Sequence, residues 1–333
     1  MSKMKVGING FGRIGRIFFR AGFEKLDITG INSLDSAEGM AHLLKYDSSH
    51  GVWDADVTSE ENFLIVNGKK IAVSNQKDPA NIPWKDMGVE LVMECTGIMK
   101  GKADYQKHIT AGAKKVMISA PAEGVDLTVV YGVNHDQYDS AKHIFISNAS
   151  CTTNCLAPLA KVLNDSFGIE NGLMMTVHSY TGDQRILDSS HNDLRRARSA
   201  AVSMIPTTTG AAKTVGLILP ELKGKIDGLS VRVPTPNVSL VDFTFNTKKD
   251  MTIASINDAL RAAAANGPLK NVLAVEEKEL VSVDFNGNPH SSIIDAKTTM
   301  VMGPRTAKVL SWYDNEFGFS SRMVDMALYM FGK

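Results

Sequence analysis

The segment Gly10-Phe11-Gly12-Arg13-Ile14-Gly15 constrains this chain more than any other stretch. It follows an apolar run, Lys5 to Asn9, that reads as a buried strand, and it opens a helical run from Arg13 to Phe23. The motif alone also occurs in ordinary glycine-rich turns; the strand before it and the helix after it give it meaning. Glycines at this spacing permit a tight turn, close approach of backbone to a pyrophosphate, and close packing of helix on strand. The helix N-terminus then faces the phosphates with unpaired N–H groups. Gly10, Phe11, Gly12, Arg13 and Ile14 are therefore candidate dinucleotide contacts. The rhythm that follows suits such a loop. Residues 27–32 read as a second strand, and 63–66 with 71–73 as a hairpin turned by Asn67-Gly68. Residues 89–93, 115–119, 129–133 and 144–147 read as further strands, with a helix over 105–111. Strands alternating with helices predict an α/β Rossmann-type fold, a doubly wound and mostly parallel sheet.

Near residue 150 the rhythm changes. Strands are expected over 174–179, 228–233, 239–246, 292–302 and 308–312, with helices over 210–219, 253–265 and 316–331. That pattern predicts an α+β catalytic domain with a largely antiparallel sheet. A length of 333 residues exceeds one ordinary core. The expected division is discontinuous: residues 1–150 and 316–333 as the dinucleotide-binding domain, 151–315 as the catalytic domain. Between them in character lies Thr181 to Pro206, long, polar and rich in Arg and Ser, a kind of loop that is usually functional or interfacial.

Composition narrows the partners. The formal net charge is +0 and no long basic run occurs, which argues against a dedicated nucleic-acid or membrane-surface partner. No apolar run approaches the roughly 20 residues that span a bilayer, and the N-terminus enters a strand pattern directly, so a cytoplasmic protein is expected. Three cysteines, Cys95, Cys151 and Cys155, make a disulfide framework improbable and suit a reducing compartment. No Cys/His quartet with zinc spacing accompanies them, so no metal is expected.

Cys151 stands out among the three. Ser150-Cys151-Thr152-Thr153-Asn154-Cys155 lies where a strand gives way to a helical run ending at Phe167. Ser150 is a candidate N-cap, which places Cys151 in the first helical turn. There, unpaired N–H groups and the helix dipole favour a thiolate, a strong nucleophile toward a carbonyl. An inert core cysteine would more often sit among apolar side chains. His178 shares a strand face with Thr176 and Tyr180 by alternation. Its place at the end of the first strand after the Cys151 helix suits a Cys–His pair in which His178 accepts a proton. Three groups of anion donors follow: Arg232 inside an apolar run, Thr209-Gly210 before a helix, and Arg195-Arg196-Ala197-Arg198 in the long loop. Each alone is commonly a solvated arginine or an ordinary cap; together they suggest a substrate that carries phosphate. At the end of the second strand Ser33 stands where a ribose-binding acid is usual, and Asp35 comes two residues late.

These residues carry a resemblance. Asn9 to Gly15, Ala149 to Cys155, His178 to Thr181, Thr209 to Lys213, Arg232-Val233-Pro234-Thr235-Pro236-Asn237 and Trp312 to Glu316 resemble phosphorylating glyceraldehyde-3-phosphate dehydrogenase, in order and spacing from about residue 4 to residue 331. The resemblance implies that Cys151 attacks the aldehyde of glyceraldehyde 3-phosphate while His178 activates it and takes a proton. It implies a site for the substrate's own phosphate at Thr181, Asp183 and Arg232. Inorganic phosphate would be held by Ser150, Thr152, Arg196, Thr209 and Gly210. Asn315 would bond the nicotinamide carboxamide; Thr96, Gly97 and Ser119 would line the cofactor cleft. It further implies a homotetramer whose 181–206 loop borders a neighbouring subunit's cofactor. Three positions depart from the common NAD-linked pattern: Ser33 for aspartate, Ser189-Ser190 for Leu-Pro, and Phe319 for tyrosine. The first two open NADP beside NAD, with Lys77 able to approach an added phosphate. Erythrose-4-phosphate dehydrogenase, or a non-catalytic binding protein on the same fold, are the alternative readings.

Overall fold

A computed structural model describes residues 4–332. The chain divides into two compact units. The first comprises the chain up to Val129, His135–Ala149 and the stretch from Ser320 onward; the second comprises Val130–Asn134 and Ser150–Phe319.

The described residues of the first unit form nine strands: β1 (Lys5–Asn9), β2 (Asp27–Asn32), β3 (Val57–Glu60), β4 (Phe63–Val66), β5 (Lys69–Ser74), β6 (Leu91–Glu94), β7 (Lys115–Ile118), β8 (Leu127–Thr128) and β9 (Phe145–Ser147). They lie in the order β3-β4-β5-β2-β1-β6-β7-β9-β8. Every pairing from β5 to β8 is parallel, and β3 and β4 add an antiparallel edge. Helices α1 (Arg13–Gly22), α2 (Ala37–Lys45) and α3 (Lys102–Thr110) connect them. The central strands are apolar and buried almost throughout, as a sheet covered on both faces demands. The chain winds outward from β1 through β2 to β5, then restarts at β6 on the other side of β1. Such a reversal opens a crevice at the carboxyl ends of β1 and β6, where doubly wound sheets bind ligands.

The second unit holds β10 (Ile169–Ser179), β11 (Ile205–Thr208), β12 (Ile226–Val233), β13 (Ser239–Thr247), β14 (Leu273–Glu276), β15 (Ser292–Asp295), β16 (Met300–Met302) and β17 (Thr306–Tyr313), with α4 (Cys151–Phe167), α5 (Ala211–Ile218) and α6 (Ile253–Ala265). The sheet order is β11-β12-β10-β13-β17-β15-β14, with β16 paired to β17. Most pairings are antiparallel, but β10 with β12 and β14 with β15 are parallel. Helix α7 (Phe317–Phe331) closes the chain. Its Met323, Val324, Met326, Ala327 and Met330 are buried, and Val324 reaches Gly22 of α1.

Two expected strands differ. Residues 129–133 form a turn, because Asn134 accepts the Val130 N–H at 2.8 Å and Gly132 takes a φ of 86°. The expected strand over 292–302 breaks at Ala296–Thr298, where Asn257 of α6 donates to the Ala296 carbonyl and accepts from Thr299 Oγ1. Among the described residues no helix is long and apolar enough to cross a membrane, and no group of three or more His, Cys, Asp or Glu is arranged to hold a metal ion.

Candidate active site

Helix α4 of the second unit follows Ala149, whose φ of 56° is a left-handed conformation that costs a non-glycine residue roughly 1–2 kcal/mol. Ser150 is the N-cap, its Oγ accepting the Thr153 N–H at 3.0 Å. Cys151 therefore occupies the first turn, and its Sγ lies 3.4 Å from His178 Nε2. His178 Nδ1 is 2.7 Å from the Ser179 carbonyl, an acceptor, and 3.2 Å from Arg232 Nη1, a donor; the shorter contact to the carbonyl favours the hydrogen on Nδ1. Nε2 is left as the basic nitrogen facing the thiol. Arg232, opposite His178 in the parallel β10–β12 register, donates through Nη1 to the same Ser179 carbonyl at 3.3 Å and to Thr181 Oγ1 at 3.4 Å.

Electrostatics set the resting state of the pair. Burial, then the neighbouring Arg232 charge, pushes the His178 imidazolium down to about 3. Burial raises the Cys151 thiol, outweighing Arg232 and the hydrogen bonds from Thr152. The thiolate expected from the helix terminus alone gives way to a neutral S–H···N pair, because desolvating two charges costs more than the terminus returns. Such a pair can still pass its proton from sulfur to Nε2 as the sulfur attacks.

Neighbouring side chains hold this arrangement. Tyr313 OH bonds Thr152 Oγ1 and Thr176 Oγ1, each at 2.9 Å, and its ring meets the His178 ring edge-on at 5.9 Å. Ser239 accepts the Ser179 N–H at 3.1 Å and donates to Asn315 Oδ1 at 2.9 Å. That fixes the Asn315 amide and leaves Nδ2 as its donor. Tyr313, Ser179 and Ser239 were not singled out from sequence; only the inward alternation of β17 signals Tyr313.

The anion donors form two groups. Thr181 stands beside Arg232, its N–H bonded to Gln184 Oε1 at 3.0 Å. Arg196 lies in the long loop, with Nη1 2.6 Å from Asp183 Oδ2, Nε donating to Thr207 Oγ1 at 3.0 Å and Nη2 donating to the Thr208 carbonyl at 3.3 Å. Asp183 thus pairs with Arg196. Thr209 Oγ1 accepts the Ala211 N–H at 3.2 Å, and Gly210 precedes α5 without a side chain to cap it. Thr152 turns its hydroxyl onto Tyr313 and is buried.

In the first unit, the glycine loop fits a dinucleotide. Gly10 has a φ of 90°, and a Cβ there would press on the backbone of Cys95 and Thr96. At Gly15 a Cβ would strike the Gly10 carbonyl, so only glycine lets α1 pack this closely. Gly12 is exposed, with nothing within 4 Å of a built Cβ, and α1 begins there without a side-chain cap. This is an exposed turn at a helix N-terminus, the setting that suits a pyrophosphate. The Phe11 ring is buried against Phe19, leaving its main chain for that role. Arg13 forms a two-armed pair with Asp47 at 2.5 and 3.2 Å. Ile14 is half-buried, Gly97 and Lys77 are exposed, and Ser119 donates its N–H to the Glu94 carbonyl. Ser33 Oγ donates to Asp35 Oδ2 at 3.1 Å, so a carboxylate does stand beside the end of β2. Cys95 is pushed up to about 12, by burial and then by Glu94.

A glycine loop suited to a dinucleotide on one unit, and a cysteine within reach of a histidine among anion donors on the other, fit the class of nicotinamide-dependent dehydrogenases. Comparison with known proteins narrows the class. Residues 4–102 match the domain family described as "Glyceraldehyde 3-phosphate dehydrogenase, NAD binding domain", and residues 150–315 match "Glyceraldehyde 3-phosphate dehydrogenase, C-terminal domain". The chain is 57% identical over 331 residues to glyceraldehyde-3-phosphate dehydrogenase 1 of Bacillus cereus, covering 99% of each. It is 58% identical over 332 residues to the glyceraldehyde-3-phosphate dehydrogenase of Geobacillus stearothermophilus, again 99% of each. With that of Streptomyces coelicolor it shares 52% over 330 residues, 98% of each. The chain belongs to the glyceraldehyde-3-phosphate dehydrogenase family.

Proposed function

We propose that this chain is a glycolytic and gluconeogenic enzyme that oxidises D-glyceraldehyde 3-phosphate and captures the product as an acyl phosphate, 1,3-bisphosphoglycerate. The observation that carries this reading is Cys151 Sγ at 3.4 Å from a His178 nitrogen that the Ser179 carbonyl keeps basic. As Sγ bonds the aldehyde carbon, its proton moves to Nε2 and then to the carbonyl oxygen, giving a thiohemiacetal. NAD, held at the Gly10–Ile14 loop and Asn315, would supply the hydride acceptor. His178 takes the hydroxyl proton as the hydride leaves, and a thioester on Cys151 results. A phosphate oxygen then attacks the thioester carbon, and the Cys151 thiolate departs beside the His178 imidazolium.

Residue roles follow. Arg232 and Thr181 bind the phosphate the aldehyde carries. Arg196, Thr209, Gly210, Ser150 and Thr152 receive the attacking phosphate, with Asp183 holding Arg196 ready. Gly10, Phe11, Gly12, Arg13 and Ile14 bind the pyrophosphate of NAD through main chain and helix terminus; Thr96, Gly97 and Ser119 flank it. Asn315 donates to the nicotinamide carboxamide. The first unit serves as the dinucleotide domain and the second as the catalytic domain. NADP is accepted less well than NAD, because Asp35 returns to Ser33 the negative charge that the serine lacks. The working enzyme is a cytoplasmic homotetramer: the 180–204 loop turns Ile186, Leu187, Leu194, Val202 and Met204 outward, all at least 75% exposed, a density of apolar side chains that suits a subunit contact.

The deciding experiment follows nicotinamide absorbance with NAD and NADP, each against glyceraldehyde 3-phosphate and erythrose 4-phosphate, with and without inorganic phosphate. Phosphate-dependent turnover of the triose in the parent, absent in Cys151→Ala, is expected. Preference for the tetrose would transfer the assignment to the erythrose-4-phosphate enzyme, and no turnover at all would leave a binding protein.

A further inference from the structure

The first unit buries a carboxylate that none of these steps uses. Glu94, the last residue of β6, is 2% exposed. Its Oε2 accepts from Asn9 Nδ2 at 2.6 Å and from His108 Nε2 at 3.0 Å. Its Oε1 accepts the Thr96 N–H at 2.8 Å and bonds the Thr96 hydroxyl. The main directions are fixed from outside. Trp84 Nε1–H, only ever a donor, gives its hydrogen to His108 Nδ1 at 3.1 Å, so His108 carries its own on Nε2 and points it at Glu94. On the opposite side the main chain of Gln76 reads both ends of the Asn32 amide: its N–H donates to Oδ1 at 2.8 Å, and its carbonyl accepts from Nδ2 at 3.0 Å. Asn32 Nδ2 also donates to Asn9 Oδ1 at 2.8 Å, which turns Asn9 Nδ2 toward Glu94. Two chains of donors converge on one acceptor.

The members of this network stand behind the loops of the dinucleotide cradle. Asn9 ends β1 and precedes Gly10; Asn32 ends β2 and precedes Ser33; Glu94 stands two residues before Thr96. Gly10 packs so closely that a Cβ there would come within 2.8 Å of Thr96 N. We infer that Glu94 is a positioning residue for the dinucleotide: its carboxylate fixes where the Gly10 and Thr96 loops present their groups to the cofactor. The inference rests on the functional reading above, in which those loops border NAD.

The reason a carboxylate is needed is directional. An amide at position 94 has one accepting end and one donating end. Turned toward Asn9 and His108, its NH2 would face two buried donors that cannot reverse; turned toward Thr96, it would face a main-chain N–H on a half-exposed loop. The second arrangement costs less because that loop can move, so the Thr96–Gly97 loop gives way and cofactor affinity falls.

The test uses the full-length protein, titrated with NAD by fluorescence and assayed in the steady state. Glu94→Gln should weaken NAD at least about tenfold and raise its KM in step, with kcat at saturating NAD and the aldehyde KM within about twofold of the parent. His108→Leu removes one donor chain and should weaken NAD severalfold. His108→Gln can accept from Trp84 and donate to Glu94, and should restore parent affinity. Parent-like NAD binding in Glu94→Gln overturns the proposal, as does a loss spread evenly over kcat and both KM values. If Glu94→Gln fails to fold, the two His108 variants decide, and equal affinities in them overturn it. A parent that binds NAD but shows no Cys151-dependent turnover sinks the functional reading instead, and the binding titrations still judge Glu94.

Discussion

Cys151 and Cys155 lie one turn apart on α4 and have opposite environments. Cys155 is fully buried, with Ser311 Oγ at 3.4 Å from its sulfur, and burial pushes its thiol up to about 12. Cys151 is half-buried beside a basic nitrogen. A thiol-specific reagent should therefore label Cys151 ahead of Cys95 and Cys155, and His178→Asn should slow that labelling by removing the proton acceptor; equal labelling in parent and variant would show that the two side chains are not coupled. His178 also links stability to pH. Its folded value of about 3 lies below the ordinary histidine value of 6.5, so between them the unfolded chain binds a proton that the native chain refuses. Stability should fall as pH drops through that window, by about 2 kcal/mol between roughly pH 6 and pH 4 from this group. Urea unfolding of parent and His178→Asn checks the sign: the parent should lose more. At the other unit's cofactor loop, Asp35→Asn should raise kcat/KM for NADP about tenfold or more while leaving NAD within a few-fold, since a repelling charge is removed. An unchanged NADP/NAD ratio would deny Asp35 that role.

Helix termini show how the same local device serves different ends. On α6, Thr252 and Ser255 form a reciprocal capping box, with bonds of 3.0 and 2.9 Å on an exposed surface. On α4, Ser150 makes a similar cap immediately before Cys151. Thr252→Ala should cost about 1 kcal/mol in urea unfolding and leave kcat unchanged. A similar stability loss in Ser150→Ala should come with a weaker response to inorganic phosphate, and a Ser150→Ala enzyme with unaltered phosphate dependence would confine Ser150 to capping. Edge strands follow equally local rules. β11 pairs only with β12, and an edge is where a sheet tolerates a proline such as Pro206.

At the scale of the whole molecule, the 180–204 loop contains neither helix nor strand yet is internally braced. Arg196 pairs with Asp183 at 2.6 Å, Arg198 with Asp188 at 2.7 Å, and the Ser189 N–H reaches the Ala197 carbonyl at 2.9 Å. Many of its polar groups bond one another while its large apolar side chains point outward, an arrangement that suits cover by another subunit. Leu194→Asp should shift the assembly toward smaller species in sedimentation velocity, while Arg198→Ala, losing only an exposed ion pair, should change it little. A parent chain that sediments as a monomer would remove the assembly from the proposal.

The sequence by itself determined what depends on neighbours in the chain. The Gly10 turn, the Ser150 cap, the placing of Cys151 in a first helical turn and the strand face that His178 shares with Thr176 are short-range consequences of residue type and spacing. Resemblance across the whole chain supplied the rest of the expected site. Only the tertiary structure decided what depends on distant residues meeting. The parallel pairing of β10 with β12 sets Arg232 beside His178, although strands following one another suggest antiparallel neighbours; a parallel pair needs a crossover, here the stretch through β11 and α5. The α2 helix, with Ala37, Met40, Ala41 and Leu44 buried at helical spacing, was legible in principle but hidden in a short segment interrupted by Gly39. The protonation of the Cys151–His178 pair turned on burial, which no local pattern measures. The Glu94 network joins residues 9, 32, 76, 84, 96 and 108, drawn from two strand ends, three loops and the α3 helix, and nothing in their spacing marks them as a group. Their common purpose exists only where the sheet brings the strand ends together, because a buried carboxylate is stable only when every donor around it is already aimed.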